Sequence, residues 1–312
     1  MEPTITKLCI FNPEHDLCLA KGRVHYVPPR SAVDFARRAA SLMSILYPDA
    51  LCTSVYDLPQ FSTFNSQPKV GDRQWRQLST LNPITPWGWN LVLKQDLLDR
   101  GIPAALLPSD EVLATLRRLQ HRATLLPLQP DCRAISDPSQ LSILNSQLST
   151  LKAPWSGAGR GLRWISGDPT PHDIAWAAKV IREQGCVIAQ PRYEVADDFA
   201  LLYRIEGGTL HFVGYSLFQT TKGVYRGNIL LIDDDIRRRT GIPQQLQESI
   251  EAWIEENLVG QYEGPLGIDL MRTVEGDIHV GELNLRHTMG HVAHAYLRLH
   301  PEAQGTLFSP AF

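Results

Sequence analysis

The stretch Gly264-Pro-Leu-Gly-Ile-Asp-Leu-Met-Arg-Thr-Val-Glu-Gly-Asp-Ile-His-Val-Gly-Glu-Leu-Asn-Leu-Arg286 sets the reading of the whole chain. Apolar and other residues alternate on both sides of Glu275-Gly276, which predicts a β-hairpin closed by a two-residue turn. With that turn, Asp269 falls directly opposite Glu282, and Ile268 opposite Leu283. Side chains alternate by two along a strand, so Asn284 joins Asp269 and Glu282 on one face. Ile268, Leu270, Leu283 and Leu285 form the other, core-facing side. Like charges directly opposite on a sheet repel. A hard divalent cation held by carboxylate and amide oxygens gives such a pair a reason. The alternative is a solvated acidic face.

Composition narrows the function classes. The chain has 312 residues, of which 43% are hydrophobic, enough for one large domain or two to three smaller ones. The net charge of −3, from 30 basic and 33 acidic side chains, argues against general nucleic-acid binding. No apolar run has the length of a membrane span, so no membrane partner is expected. Met1–Phe11 lacks the layout of a signal peptide and reads as a first strand. The five cysteines, Cys9, Cys18, Cys52, Cys132 and Cys186, form no CxxC pair, which suits a reducing cytoplasm.

Residues 5–11 predict a buried strand, and the polar cluster Asn12-Pro-Glu-His-Asp16 follows at once. In α/β sheets ligands gather at the carboxyl ends of strands, so the cluster is a candidate site. It reads equally well as a turn, with Asp16 capping a helix. Residues 31–46 have helical spacing, 51–56 a short strand and 60–75 a polar loop. Pro83-Ile-Thr-Pro-Trp-Gly-Trp89 reads as a linker docked by its tryptophans. Helices are expected from Asn90 to Arg100 and from Ser109 to His121, the second with Ser109 as N-cap. The stretch 125–151, with its Gln-Leu-Ser repeats shared with Gln77–Asn82, reads as filler leading into a strand. Further on, 172–184 predicts a helix, 186–190 and 198–205 strands, and 209–218 a partner of the latter across Gly207-Gly208. A helix from Pro243 to about Leu258 precedes the hairpin, and a short helix over 289–299 follows it.

The second strong feature is Lys152-Ala-Pro-Trp-Ser-Gly-Ala-Gly-Arg-Gly161. Glycines at 157, 159 and 161 let backbone amides approach a phosphate, with Lys152 before the loop and Arg160 inside it to meet its charge. The loop joins two strands, so it is neither a P-loop nor a Rossmann fingerprint, both of which enter helices. Glycine-rich hairpins without ligands are common, and the loop alone leaves that reading open.

Together these parts resemble the ATP-grasp superfamily over roughly residues 90–300. In that family a lysine and a glycine-rich loop between antiparallel strands cover the phosphates, as Lys152 and Gly157–Gly161 would. Val187-Ile-Ala-Gln-Pro-Arg-Tyr193 looks like the strand that runs past the adenine, with Gln190 and Tyr193 as contacts and Asp197 or Asp198 at the ribose. The metal hairpin of the family ends in Glu-x-Asn-x-Arg, here Glu282-Leu-Asn-Leu-Arg286, and its partner strand carries an Asp, here Asp269. Departures exist. Gln190 stands where many members place a glutamate, the ribose acid is Asp, and the family's early lysine is only loosely matched by Lys94. Lys222 and Arg226, in Thr220–Asn228, read either as phosphate or substrate contacts or as an exposed basic loop.

The resemblance implies an N-terminal pre-ATP-grasp α/β domain over residues 1–88 and a two-lobed α+β ATP-grasp domain over 89–312. It implies ATP between the lobes, and Mg²⁺, or Mn²⁺ in its place, on Asp269, Glu282 and Asn284. The activity would be an ADP-forming carboxylate–amine ligase that makes an acyl phosphate, with Arg286 and Lys152 at the reacting groups. Its partners would be ATP, a small carboxylate and a nucleophile, with a homo-oligomer as an option. His15, and after it Glu14 and Asp16, are candidates for the acceptor site, His15 as a base because its ordinary pKa of about 6.5 suits proton transfer near neutrality. Two other classes stay open. His287, His291 and His294 fall at helical spacing and could hold zinc in a hydrolase, though without an HExxH glutamate. A catalytically inactive nucleotide-binding module is the third.

Overall fold

The computed structural model describes residues 7–60, 84–144, 148–156, 161–221 and 223–310. The polar loop expected after residue 60, the Gln77–Asn82 repeat and residues 145–147 therefore lie outside the described residues. The chain opens with β1 (Leu8–Phe11), then α1 (His15–Lys21), α2 (Arg30–Ala39), α3 (Met43–Leu46), β2 (Leu51–Ser54), β3 (Ile84–Pro86) and α4 (Leu91–Asp99). The three strands form a parallel sheet in the order β2-β1-β3. Every residue of β1 is buried, as a central parallel strand requires.

The described part of the stretch 83–89, residues 84–89, corrects the linker reading. Ile84–Pro86 is an edge strand paired with β1, Leu8 beside Ile84 and Ile10 beside Pro86. Pro86 is tolerated there because an edge strand has one side without ladder bonds. Three residues are too few to show a period of two, so the pattern could not be seen in sequence. Leu93, Leu97, Ile102 and Leu107 share a cluster with Leu8, Ile10 and Ile84, so this core runs on past residue 88.

α5 (Asp110–Leu119) starts where the sequence placed it, with Ser109 Oγ accepting from Val112 N–H at 3.2 Å. Acidic residues occupy its first turn and arginines its last, in the sense that complements the helix dipole. The expected filler contains a 3₁₀ segment (Arg122–Leu128), β4 (Arg133–Ile135) and a second 3₁₀ segment (Pro138–Leu144). β5 (Ser149–Lys152), β6 (Leu162–Ile165), α6 (Pro171–Gln184) and β7 (Val187–Pro191) complete a small lobe. Its sheet is antiparallel, in the order β4-β7-β5-β6. A capping box formed by Thr170 and Asp173 starts α6.

The larger lobe holds β8 (Val195–Glu206), β9 (Thr209–Thr221), β10 (Val224–Ile229), α7 (Asp233–Thr240), α8 (Gln244–Asn257), β11 (Gly264–Thr273), β12 (Ile278–Asn284), α9 (Met289–Leu299) and β13 (Leu307–Phe308). Its sheet has the order β12-β11-β8-β9-β10-β13 and is antiparallel throughout. Ile250, Ile254 and Leu258 cover it from one side and close a core with Leu201, Ile268, Leu283 and Leu285. The basic-loop reading of 220–228 is also corrected: Val224–Ile229 is a strand that returns along β9 after Gly223, whose φ is +75°. Among the described residues, no helix is long and apolar enough to cross a membrane.

Candidate active site

The hairpin sets Asp269 opposite Glu282 and Gly267 opposite Asn284, as expected, but not through the expected turn. Thr273 N–H donates to Asp277 O at 2.8 Å, so the turn is the three residues Val274–Gly276. On the turn side Leu270 faces Val280; a bulge at Gly281 then shifts the register by one. A Cβ at Gly281 would lie 3.0 Å from Asp269 O, so glycine suits the slip. Gln129 Nε2 donates to both Val280 O and Gly281 O, each at 2.8 Å; among the described residues β12 pairs with β11 alone and is the edge of its sheet. Asn284 Nδ2 donates to Asp269 Oδ2 at 3.1 Å. Burial, with the like charge of Glu282, pushes the Asp269 carboxyl up to about 7. Two carboxylates and an amide on one face, under mutual repulsion, form a donor set that suits a hard cation.

Cationic side chains surround this face. Arg122, from the first 3₁₀ segment, reaches Glu282 Oε2 at 2.7 Å and also holds Ser156 Oγ at 2.7 Å and Ala153 O. It ties the base of the glycine loop to the hairpin, and no motif in the sequence marks it. Lys152, the last residue of β5, lines the same cavity. Burial and the charge of Arg122 push its amine down to about 8. Gly161 precedes the return strand β6; a Cβ there would lie 2.2 Å from the Ser156 Cβ. Gly157, Gly159, Arg160 and Lys222 lie outside the described residues.

Arg286 meets the N-terminal sheet. Its Nε and Nη2 donate to the two oxygens of Asp16 at 3.0 and 2.7 Å, and its Nη1 donates to His287 O at 3.0 Å. Burial works to raise the Asp16 carboxyl, but Arg286 and then His15 hold it below the usual range. His15 itself is 0% exposed and does not line the cavity. Its ring nitrogens lie 3.2 Å from Asn90 Nδ2 and 3.3 Å from Gln120 Oε1. Gln120 in turn donates to Asp16 at 3.4 Å, so His15 stands behind Asp16 rather than in front of it. Glu14 is buried at 6% exposure, and burial pushes its carboxyl up to about 7. Asp16 follows the helix N-cap, Glu14, by two residues and so is not itself the cap.

The remaining candidates separate cleanly. Gln190, Tyr193 and Asp198 line the cavity. Tyr193 stacks on His279 with ring centroids 3.8 Å apart and donates to Asp131 at 3.2 Å. Asp198 accepts from Thr220 Oγ1 at 2.7 Å. Its neighbour Asp197 points to the opposite face, where Arg272 at 2.6 Å and Arg239 at 2.9 Å hold it. Lys94 pairs with Asp110 at 2.6 Å and does not line the cavity; Arg226 is exposed on β10 and does not line it either.

The histidines of the zinc reading each have a separate partner elsewhere, though His287 Nδ1 is buried without one. His287 Nε2 lies 3.2 Å from Tyr47 Oη, His291 Nδ1 2.9 Å from Thr288 Oγ1, and His294 Nε2 3.5 Å from Asp233. Among the described residues no group of three or more His, Cys, Asp or Glu side chains is placed to hold a metal ion. The helical spacing of 287, 291 and 294 also fails, because α9 starts only at Met289 and His287 precedes it.

The cavity between the lobes has a volume of about 470 Å³, within the range of small-molecule sites. Lys152, Gln190 and Asp198 lie on its walls with Asp269, Glu282, Asn284, Arg286 and Asp16. Two sheets closing on a cleft, with the hairpin of Asp269, Glu282 and Asn284 inside it, match the ATP-grasp architecture, and solved structures bear that fold out. The carboxyaminoimidazole ribonucleotide synthase from Aspergillus clavatus, solved with ATP, aligns with a TM-score of 0.51 at 12% identity, covering 91% of this chain and 71% of that one. Rhizobium etli pyruvate carboxylase aligns with a TM-score of 0.53 at 14% identity, covering 94% of this chain and 27% of that one. The chain thus has the ATP-grasp fold. No protein-family model and no curated protein sequence matches it.

Proposed function

We propose that this protein is an ADP-forming, ATP-dependent ligase that activates a carboxylate and joins it to an amine or similar nucleophile, with Mg²⁺ or Mn²⁺ as its metal. The observation that carries this reading is the placement of Asp269, Glu282 and Asn284 on one wall of a cavity that Lys152, Asp16 and Arg286 also line. Asp269, Glu282 and Asn284 would hold the metal, which when bound neutralises phosphate charge. Lys152 donates to the phosphates and stabilises the moving phosphoryl group. Gln190 presents an amide to the base, Asp198 faces the ribose, and Arg286 orients the carboxylate and balances its charge.

In the first step a carboxylate oxygen attacks the γ-phosphorus, the bond from that phosphorus to the bridging oxygen breaks, and ADP leaves. In the second, the nucleophile attacks the acyl carbon, phosphate departs with its oxygen, and the nucleophile loses a proton. His15, held behind Asp16, serves as a positioning residue in this scheme, and the proton goes to another base or to water. The Aspergillus synthase of the same fold was solved with ATP, which supports ATP as the nucleotide. The test is ADP release across carboxylates, with hydroxylamine as a common nucleophile and with Mg²⁺ present or chelated. Metal-dependent ADP release that Glu282→Gln abolishes supports the reading; release that survives Glu282→Gln and chelation would refute it.

A further inference from the structure

We infer that the carboxylate substrate carries a flat, uncharged apolar group that lies on the aromatic floor of the cavity; this rests on the ligase reading above. The carboxyl edge of the parallel sheet presents Phe11 at the end of β1 and Trp87 just after β3. Phe11 packs edge-to-face on Trp87 at 5.0 Å and on Phe35 of α2 at 5.6 Å. Phe35 and Met289 are only partly buried and supply the accessible surface of this wall, while Phe11 and Trp87, 0% and 5% exposed, back it as fixed rings. Four apolar side chains thus bring one core cluster to the wall of the cleft.

This floor adjoins Arg286. His287 N–H donates to Trp87 O at 3.0 Å, which places the tryptophan beside the residue that follows Arg286. A carboxylate on Arg286 has the hairpin on one side, where the phosphates lie in the ligase reading. The rest of the molecule therefore extends towards Phe35 and Met289, with Phe11 and Trp87 packed behind them. Among the described residues lining the cavity, the basic side chains are Arg122, Lys152 and Arg286. Arg122 is paired with Glu282, and Arg286 is shared between Asp16 and the reacting carboxylate, so neither is left for a second anion at the aromatic end. Among the described residues, a phosphate or second carboxylate on the tail would find no free basic partner there to offset its lost hydration. An aromatic ring gains by burial and by edge-to-face contact instead.

The test is binding to the full chain saturated with a non-hydrolysable ATP analogue and Mg²⁺, measured by calorimetry. The probes are 3-phenylpropionate, succinate and 3-phosphoglycerate. We expect 3-phenylpropionate to bind at least about tenfold tighter than succinate, the scale that apolar pockets discriminate. Phe35→Ala should bring the ratio close to one, and Phe35→Leu, which keeps an apolar surface, should retain most of it. Equal or tighter binding of succinate or 3-phosphoglycerate overturns the inference, as does an unchanged ratio in Phe35→Ala, or binding of no probe. If the ATP analogue itself fails to bind, the ligase reading falls too. A nucleotide-loaded protein that prefers anionic tails refutes only the apolar substrate.

Discussion

Asp16 and Arg286, 270 residues apart in sequence, share two hydrogen bonds of 3.0 and 2.7 Å inside the protein. Both side chains are 16% exposed. The pair joins the end of the β11–β12 hairpin to the first helix after the N-terminal strand β1. Removing one partner of a largely buried pair leaves the other charge uncompensated. Asp16→Asn should destabilise the fold by about 3 kcal/mol in urea unfolding, and Asp16→Asn/Arg286→Gln should cost less than the sum of the single changes. Additive costs in this double-mutant cycle would show that the pair is not coupled.

The two hairpin carboxylates should respond differently to neutralisation. Asp269→Asn removes one charge of a repelling pair and keeps an oxygen for Asn284, so metal-free stability should rise by up to about 1 kcal/mol. Glu282→Gln also strips Arg122 of its partner, and the two effects oppose each other. Its metal-free stability should therefore lie below that of Asp269→Asn. Melting curves in chelator would decide it, and a Glu282→Gln variant more stable than Asp269→Asn would contradict the Arg122 contact.

Glu14 predicts a pH dependence. Burial raises its folded pKa to about 7, from an ordinary value of 4.5. Between those values the folded state binds more protons than the unfolded one, so stability falls as pH rises. The protonated carboxyl is fully accommodated below pH 4.5, and the penalty is complete once pH passes 7, amounting to about 3 kcal/mol. One oxygen, Oε2, has no hydrogen-bond partner, which fits a group better buried neutral. Glu14→Gln should flatten this part of the stability profile, leaving a smaller loss from pH 5 to pH 7 than in wild type. Parallel profiles for the two proteins would refute it.

His15 and Gly88 should behave as one packing unit. A Cβ on Gly88 would lie 2.7 Å from His15 Nδ1, and the ring cannot retreat because it is fully buried. Gly88→Ala should cost about 1–3 kcal/mol, as overpacking does. His15→Ala should lower the melting temperature while leaving ATP affinity within about twofold, because the ring does not line the cavity. The combined change should be milder than the sum, since the alanine at 15 makes room for the methyl at 88. Loss of ATP binding in His15→Ala with no change in melting temperature would assign His15 to the nucleotide site instead.

How much was legible varies with the physics of each element. Asp269, Glu282 and Asn284 could be grouped because strand alternation is local and strict. Their pairing came out as read only because two departures cancel: a turn one residue longer than expected and a bulge of one residue at Gly281. Neither leaves a clear mark in a single sequence. The cluster 12–16 pointed to the carboxyl edge of the sheet, but not to the residue that matters there. The helix begins at His15, and each step along a helix turns a side chain by about 100°, so His15 turns inward and Asp16 towards Arg286. Arg122 was invisible because a lone arginine in a 3₁₀ segment gains its meaning only from Glu282, far along the chain. Asp197 and Asp198 could be told apart only once the strand's two faces were assigned. The aromatic floor was hidden for the same reason: Phe11 and Trp87 come from different strands and meet only when β3 joins the sheet.

The side chain of Gln129 has a bearing on how copies of this protein can meet. β12 ends its sheet, and an open strand edge is a template onto which another chain can zip. At the bulge the two carbonyls that a newcomer would address first are already occupied by one amide group. The local kink that brings the carboxylates face to face thus also spoils the edge as a seam for further strands. This border is occupied from within the chain, by Gln129 at its bulge and by the 3₁₀ segment Arg122–Leu128 that packs along β12 and holds Glu282 through Arg122.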